Sequence, residues 1–192
     1  MDPLLFAYGS LVSPQSARQT LGREVAISAP LRLPGWRRRW STFRDNLAAE
    51  KTFACGDGGE LPRYCLGLNL EPEAGAAGPN GVLIELSESE LDRLDLREMR
   101  YRRTEVTESI STEIRCDARV FAYTARPRHH AATPPRGAVI LASYPRAVEA
   151  AFAALGADQL ELYRATTDAP PVELIDGVLV ADNIPAGNPR EW

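Results

Sequence analysis

The amino-acid sequence predicts an α+β domain whose mixed or mainly antiparallel strands curl into a small mixed β-barrel flanked by helices. Two observations carry this prediction. Roughly six or seven strand-like segments precede most of the helical sequence, and the regular βαβ alternation of a doubly wound fold is absent. The length of 192 residues suits one domain. We therefore expect one domain over residues 1–167 and a C-terminal extension, residues 168–192, that packs on it.

Strands and turns dominate the first part of the chain. Apolar and alternating runs predict strands at residues 4–8, 24–33, 36–43, 63–70 and 81–86. Ser13-Pro14 provides an N-cap and a first-turn proline for a short helix that ends near Gly22. The polar, glycine-bearing segment 44–62 predicts a loop. Residues 71–81 predict a turn, and its final Asn80-Gly81 is typical of a hairpin return.

The second part of the chain holds the clearest helices. Ser87 and Glu90 form a capping-box pattern, which predicts a helix from residue 88. The segment SYPRAVEAAFAALG predicts another helix, ended by Gly156, and a shorter one is expected over residues 158–165. Strands are expected at 102–110, 115–125 and 177–181, and a loop at 126–136.

Composition and charge argue against several classes of function. The formal net charge of −4 disfavours nucleic acid and anionic membranes as the main partner. No apolar run approaches the roughly 18 residues of a membrane-spanning helix, and the N-terminal residues do not resemble a secretory signal. The three cysteines show no CxxC spacing, which disfavours a disulfide framework and a structural metal site. We therefore expect a soluble, cytoplasmic protein.

An acidic residue extends the apolar face of the helix predicted from residue 88. Leu91, Leu94 and Glu98 follow the i, i+3, i+7 spacing, so they lie on one stripe whose leucines are expected to face the core. Burial raises the pKa of a carboxylic acid, and such a glutamate suits general acid–base catalysis near neutral pH. Glu98 is therefore a candidate catalytic residue. Asp95, on the same stripe, either shares its pocket or caps it.

The same helix allows a plainer interpretation. In it, Glu98 lies at a frayed helix end and pairs with one of three nearby arginines: Arg100, Arg102 or Arg103. The other charged positions of the helix are expected on its solvated face, namely Asp92, Arg93 and Arg97.

A small turn interrupts the apolar run at residues 4–12. Tyr8, Gly9 and Ser10 follow a buried strand, and a turn of this kind can direct several main-chain N–H groups to one point. Such a point binds a carboxylate or a developing oxyanion. Gly9 would permit close approach of a ligand, and Ser10 would add a hydroxyl. The alternative is a turn without a ligand.

The two features together resemble the γ-glutamylcyclotransferase-like superfamily. "FAYGSL" near the N-terminus is followed, about 90 positions later, by the glutamate of "LDLREMRY". The resemblance covers residue 4 to about residue 160 and extends to NGVLIEL, YRRTEV, VFAYTA and ASYPRAVEAAFAALG. The superfamily includes γ-glutamylcyclotransferases, γ-glutamylamine cyclotransferases, ChaC-type glutathione-degrading enzymes and AIG2-like proteins. One departure is that Met-Arg-Tyr follows the glutamate, without the EG dipeptide of many cyclotransferases.

The resemblance implies an activity and roles for six residues. Glu98 would be the general acid/base. The loop Tyr8, Gly9, Ser10 and Leu11 would hold the γ-glutamyl moiety, mostly through main-chain amides, and Tyr144 would lie near the substrate. The implied reaction is intramolecular aminolysis, which releases 5-oxoproline and a free amine or amino acid. It needs no cofactor, metal or nucleotide, and the implied partner is a small γ-glutamyl compound.

Other functions remain open at this point. The runner-up is a non-catalytic binding domain on the same scaffold, which recognises an amino-acid-like ligand or a protein. A weaker alternative is a nucleic-acid-binding barrel that uses the segment 36–40, WRRRW. On a strand, however, Trp36, Arg38 and Trp40 share one face while Arg37 and Arg39 share the other, which favours two packed tryptophans beside a solvated edge. His129-His130 predicts a surface loop, and Ser10 lacks the G-x-S-x-G context of a hydrolase nucleophile. A monomer and a homodimer are both compatible with the sequence.

Overall fold

A computed structural model describes residues 2–56, 58–110 and 118–184. The strands are β1 (Leu4–Ala7), β2 (Leu31–Arg32), β3 (Trp36–Asp45), β4 (Lys51–Cys55), β5 (Tyr64–Pro72), β6 (Asn80–Glu85), β7 (Tyr101–Glu105), β8 (Val120–Ala125), β9 (Ala138–Leu141), β10 (Leu174–Ile175) and β11 (Gly177–Asp182). The helices are α1 (Pro14–Leu21), α2 (Glu88–Arg97), α3 (Thr107–Ile110), α4 (Ser143–Leu155) and α5 (Ala157–Ala165). Short 3₁₀ turns cover Ser10–Val12 and Pro127–His129.

The described strands form three sheets. The largest has the order β2-β6-β1-β8-β7, in which β1 pairs antiparallel with β6 and parallel with β8. The second sheet has the order β10-β9-β5-β3, and β11 pairs with β4 in the third. Parallel and antiparallel pairs occur together beside the helices, so the predicted α+β class is confirmed.

The predicted closure into a barrel is wrong for the described strands, since none of the three sheets closes on itself. Side chains join the two larger sheets where a closing ladder would run. The amide Oδ1 of Asn69 in β5 accepts a hydrogen bond from the main-chain N of Ala125 in β8 (2.7 Å). The hydroxyl of Tyr101 donates to the carbonyl of Leu68 (2.8 Å). The sheets therefore meet without a continuous strand-to-strand ladder.

The helix ends follow the predicted signals. The Ser87 hydroxyl accepts from the N–H of Glu90, and the Glu90 carboxylate accepts from the N–H of Ser87, which confirms the capping box. Helix α1 begins after Ser13, whose hydroxyl accepts from the N–H of Ser16, and Gly22 ends it with a φ of 73°. Helices α4 and α5 occupy the predicted positions.

Several strand boundaries differ from the sequence prediction. Residues 24–33 give only the two-residue β2, because Pro30 has no N–H and the Ser28 hydroxyl, instead of a carbonyl, accepts from the N–H of Leu83. The predicted loop 44–62 contains β4, and the predicted strand 102–110 ends at Glu105 before α3.

Further differences concern later segments. Gly81 belongs to β6, where a Cβ would lie 2.6 Å from the Phe6 ring. Strands β9 and β10 were not predicted. Residues 115–117 of the predicted strand 115–125, and 185–192 of the predicted extension, lie outside the described residues.

The core lies between the largest sheet and its helices. Among its fully buried side chains are Phe6 of β1, Ile84 of β6, Leu91 and Leu94 of α2, and Phe152 of α4. Residues 174–182 of the predicted extension add β10 to the second sheet and β11 to β4. Within the described ranges, no helix combines the length and apolar character of a membrane span.

Candidate active site

One pocket collects the residues that the sequence singles out. It lies between the turn after β1, the end of α2, strands β5, β7 and β8, and the start of α4. The turn Tyr8–Leu11 lines it together with Glu98 and Tyr144, so the structure brings all six predicted site residues together. The other lining residues are Leu5, Phe6, Ala7, Leu68, Tyr101 and Tyr123. Its volume is about 50 Å³, enough for roughly three or four small groups.

The turn Tyr8–Leu11 presents main-chain N–H groups at this pocket. The carbonyl of Gly9 accepts from the N–H of Val12 (3.1 Å), which closes the 3₁₀ turn. Among the described residues, none accepts a hydrogen bond from the main-chain N–H of Gly9, Ser10 or Leu11. A turn with such groups can bind a carboxylate or an oxyanion.

Gly9 allows the turn to approach Tyr144 closely. A Cβ at position 9 would lie 3.2 Å from the Tyr144 hydroxyl oxygen, tighter than most contacts of a real Cβ. An edge-on contact with Trp40, at 6.0 Å between ring centroids, holds the Tyr144 ring in place. The glycine therefore fits because it has no side chain.

Glu98 is the first residue after α2. Its N–H still donates to the carbonyl of Leu94 (2.7 Å), so the chain keeps its helical path to this point and the side chain lines the pocket beyond the buried Leu91 and Leu94. The side chain is 19% exposed, and its Oε1 lies 3.3 Å from Nε of Arg97.

Two of the arginines in the frayed-end interpretation bind other carboxylates. Arg100 donates to both oxygens of Glu50, at 2.7 and 3.2 Å. Arg103 lies 3.0 Å from Asp95. Both arginines therefore form ion pairs with carboxylates. The partner of Arg100 lies in the segment before β4, and the partner of Arg103 lies in α2.

Four phenols surround the carboxylate. Burial raises the pKa of Tyr8 and Tyr144 well above the ordinary value, and it also raises the pKa of Tyr101 and Tyr123. The negative charge of Glu98 acts in the same direction on all four. At neutral pH the described lining of the pocket therefore presents one carboxyl group, that of Glu98, among neutral hydroxyls.

Three of these hydroxyls donate their proton to the protein. Tyr8 donates to the carbonyl of Tyr123 (2.6 Å), and Tyr101 donates to that of Leu68 (2.8 Å). Tyr123 donates to the Oδ1 of Asp95 (2.6 Å). Asp95 thus holds Tyr123 and is not part of the pocket lining. Because each proton is already used, the remaining lone pairs of these oxygens can accept hydrogen bonds from a ligand.

Solved structures share this backbone arrangement. A γ-glutamyl cyclotransferase matches with a TM-score of 0.56 at 15% identity, over 86% of this chain and 88% of that one. A human protein described as uncharacterised matches with a TM-score of 0.54 at 16% identity, over 86% of this chain and 88% of its own. YkqA from Bacillus subtilis matches with a TM-score of 0.54 at 17% identity, over 89% of this chain and 56% of YkqA. The chain has the γ-glutamylcyclotransferase fold. No family model and no curated protein matches its sequence.

The γ-glutamylcyclotransferase fold explains why these residues meet. Strand β1 lies in the middle of the largest sheet, between β6 and β8, so the turn after it lies beside β8 and its Tyr123. Helix α2 leads into β7, which pairs with β8 on the other side, and this brings Glu98 and Tyr101 to the same place.

The sequence prediction missed three contributors to this region of the fold. Arg97 was expected on the solvated face, which is wrong, because its side chain is only 8% exposed and contacts Glu98. Tyr101 and Tyr123 were not among the predicted site residues, but both line the pocket. The available signal for the two tyrosines was that Tyr101 begins the strand that follows Glu98 and that Tyr123 lies on the strand paired with it.

The segment Trp36–Trp40 places a buried cation, Arg38, near the candidate site. Arg38 is completely buried, with its guanidinium 5.0 and 4.7 Å from the ring centres of Phe152 and Tyr163. Burial lowers the pKa of Arg38 to about 10, so the side chain is still a cation at neutral pH. It lies near enough to Tyr8 for its charge to lower the pKa of that phenol slightly against the effect of burial.

The outer face of β3 carries paired charges. Arg37 lies 2.5 Å from Asp168, and Arg39 contacts Glu71 at 3.1 Å and Asp168 at 3.2 Å. His130 lies 2.9 Å from Glu71. In the part of the chain that the structure describes, no three His, Cys, Asp or Glu side chains are grouped as metal ligands would be.

Proposed function

We propose that this protein is a γ-glutamyl cyclotransferase that releases 5-oxoproline and a free amine or amino acid from a γ-glutamyl compound. The observation that carries the proposal is the shared pocket of Glu98 and the turn Tyr8–Leu11, to which Glu98 contributes the one carboxylate among the described lining residues. The γ-glutamylcyclotransferase fold supports it, since one protein with this fold is a γ-glutamyl cyclotransferase.

The size of the pocket suits one end of the substrate. About 50 Å³ accommodates roughly three or four small groups, which fits the head of a γ-glutamyl arm but not a whole peptide. In the proposed complex the γ-glutamyl head enters the pocket and the leaving group stays at its mouth. Specificity for the leaving group would then be set outside the lining residues.

Glu98 would move the protons of the reaction. Its carboxylate takes a proton from the substrate α-ammonium group, and the resulting amine attacks the γ-carbonyl carbon within the same molecule. The new C–N bond closes a five-membered lactam, and the attacking nitrogen releases its second proton to solvent. The old C–N bond then breaks as the glutamic acid returns its proton to the leaving nitrogen, which departs as the free amine. General acid–base catalysis of this kind contributes roughly 10²–10⁴-fold.

The rest of the pocket would fold and orient the substrate. Because nucleophile and electrophile belong to one molecule, the enzyme mainly has to hold the chain in the geometry of attack. The N–H groups of Gly9, Ser10 and Leu11 are suited to the α-carboxylate or the oxyanion. The phenol oxygens of Tyr8 and Tyr101 are suited as acceptors for the ammonium group. The proposed reaction needs no cofactor, and it acts on a small molecule in a monomer or a homodimer.

The proposal is tested with a panel of glutathione, γ-glutamyl amino acids and γ-glutamyl amines, with 5-oxoproline measured as the product. We expect wild-type protein to release 5-oxoproline from at least one of them, and Glu98→Gln to lose about 100-fold or more of kcat/KM. Glu88→Gln is the matched control, because Glu88 is an exposed residue in the first turn of the same helix. It should keep wild-type activity.

Two results would contradict the proposed activity or the proposed role of Glu98. If no compound of the panel yields 5-oxoproline while calorimetry detects binding of one of them, the pocket belongs to a binding domain. If Glu98→Gln retains full activity with an unchanged unfolding midpoint, the proton transfer is not carried by Glu98.

A further inference from the structure

Arg97 joins three elements at the edge of the pocket. It is the last residue of α2, and its guanidinium reaches the hydroxyl of Ser10 in the turn after β1 (3.4 Å). It also reaches two positions of α1, the hydroxyl of Ser16 (3.4 Å) and the hydroxyl of Thr20. Its Nε lies 3.3 Å from the carboxylate of Glu98. One side chain thus contacts the turn, the first helix and the acid.

Burial makes these contacts specific. The side chain of Arg97 is 8% exposed, so its position is set by packing and its charge is weakly screened by solvent. The planar guanidinium offers five N–H donors in a fixed fork, which can hold several acceptors in a defined geometry. An adjacent cation also favours the ionised form of a carboxylic acid.

We propose that Arg97 is a positioning residue that fixes the Glu98 carboxylate against the Tyr8–Leu11 turn and holds it in the ionised form. For catalysis the inference rests on the proposed function, in which an ionised Glu98 is the form that accepts the first proton. The effect on the carboxylate itself follows from the contacts of Arg97 and does not require that function.

Among the residues that the structure describes, the other titratable groups that line the pocket with Glu98 stay fixed in charge over the acidic range. They are phenols from the turn, β7, β8 and α4: Tyr8, Tyr101, Tyr123 and Tyr144. Burial raises the pKa of each, so none ionises there. On α2, Asp95 is bound by Tyr123 and Arg103. Arg97 is a charge in contact with Glu98 that a single substitution can remove.

The test follows the Glu98 carboxyl carbon by NMR in protein labelled at the side-chain carboxyls of glutamate, with Glu98→Gln used for assignment. In Arg97→Met, which keeps much of the volume but not the charge, we expect the Glu98 titration midpoint to rise by about one pH unit. Arg97→Lys should keep the midpoint within a few tenths of a unit of wild type, because it retains the cation. Arg97→Gln, which also removes the charge, is the second variant if Arg97→Met does not fold, and the same rise is expected of it.

Arg93→Met is the matched control. Arg93 lies one turn earlier on α2 and also contacts α1, through the carbonyl of Thr20 (2.5 Å), so its removal deletes an equal charge and a contact with the same residue. In Arg93→Met, the titration midpoint of the Glu98 carboxyl should remain that of wild type. Under the proposed function, Arg97→Met should in addition shift the acidic limb of the kcat/KM profile upward by the same amount.

The outcomes separate this inference from the proposed function. An unchanged Glu98 midpoint in Arg97→Met, or an equal rise in Arg93→Met or Arg97→Lys, overturns the role of Arg97 even if wild type releases 5-oxoproline. A raised midpoint in Arg97→Met alone, in a protein that releases no 5-oxoproline, upholds the role of Arg97 and refutes the cyclotransferase.

Discussion

Replacing Gly9 with alanine should weaken catalysis through a contact with one hydroxyl. The new methyl group would lie 3.2 Å from the hydroxyl oxygen of Tyr144, whereas ordinary contacts begin at 3.4 Å. The Tyr144 ring cannot move back freely, because it packs edge-on against Trp40. Either the turn or the hydroxyl must therefore shift by a few tenths of an ångström.

The size of the effect follows from this shift. A displacement of about 1 Å at a reacting geometry can lower the rate about 100-fold. A few tenths of an ångström then correspond to a loss of roughly three- to tenfold, or about 0.7–1.4 kcal/mol. Since the clash involves the hydroxyl alone, Tyr144→Phe should relieve it. In the Tyr144→Phe background, we expect Gly9→Ala to change kcat/KM by less than about twofold.

The measurement is a double-mutant cycle on the release of 5-oxoproline, with the best substrate of the γ-glutamyl panel. Urea unfolding of all four proteins shows whether the fold is preserved. The reasoning fails if Gly9→Ala lowers kcat/KM by the same factor in both backgrounds, since the loss would then not depend on the hydroxyl. It also fails if Gly9→Ala alone has wild-type activity.

Two further predictions concern stability. Asn69 is buried, and Asn69→Ala leaves the partly buried N–H of Ala125 without its acceptor, which should lower the free energy of unfolding by about 1–3 kcal/mol in urea. Burial tends to raise the pKa of Glu71, but hydrogen bonds from Ser41 and His130 outweigh it and the net pKa lies below the ordinary 4.5. The carboxylate therefore stabilises the fold above pH 4.5, and this contribution disappears as the pH falls further. Glu71→Gln should have a lower Tm at pH 7 but a smaller loss of Tm on acidification, and parallel Tm curves would contradict this.

The sequence predicted those parts of the fold that short-range chemistry determines. The Ser87–Glu90 capping box, the Ser13 N-cap and the glycine ends of α1 and α4 depend on neighbouring residues, and all of them are found. The strands β4, β9 and β10 depend on partners far along the chain, such as β11 for β4, and were missed. Barrel closure failed for a related reason, because one buried amide, Asn69, joins the sheets in place of a ladder.

For the candidate site, backbone direction was predictable and the reach of long side chains was not. The spacing of Leu91, Leu94 and Glu98 fixes the direction in which each Cα–Cβ bond points, and the leucines are buried while Glu98 lines the pocket. The Cα–Cβ bond of Arg97 points away from that stripe, yet its long, flexible side chain brings the guanidinium into contact with α1 and with the Glu98 carboxylate. Arg38 likewise lies on the predicted inner face of β3, but a helical wheel or strand pattern does not show that two aromatic rings enclose its charge. For charged residues beside an acidic site, the length of the side chain should therefore be considered together with the backbone position, because the backbone position shows only where each side chain begins.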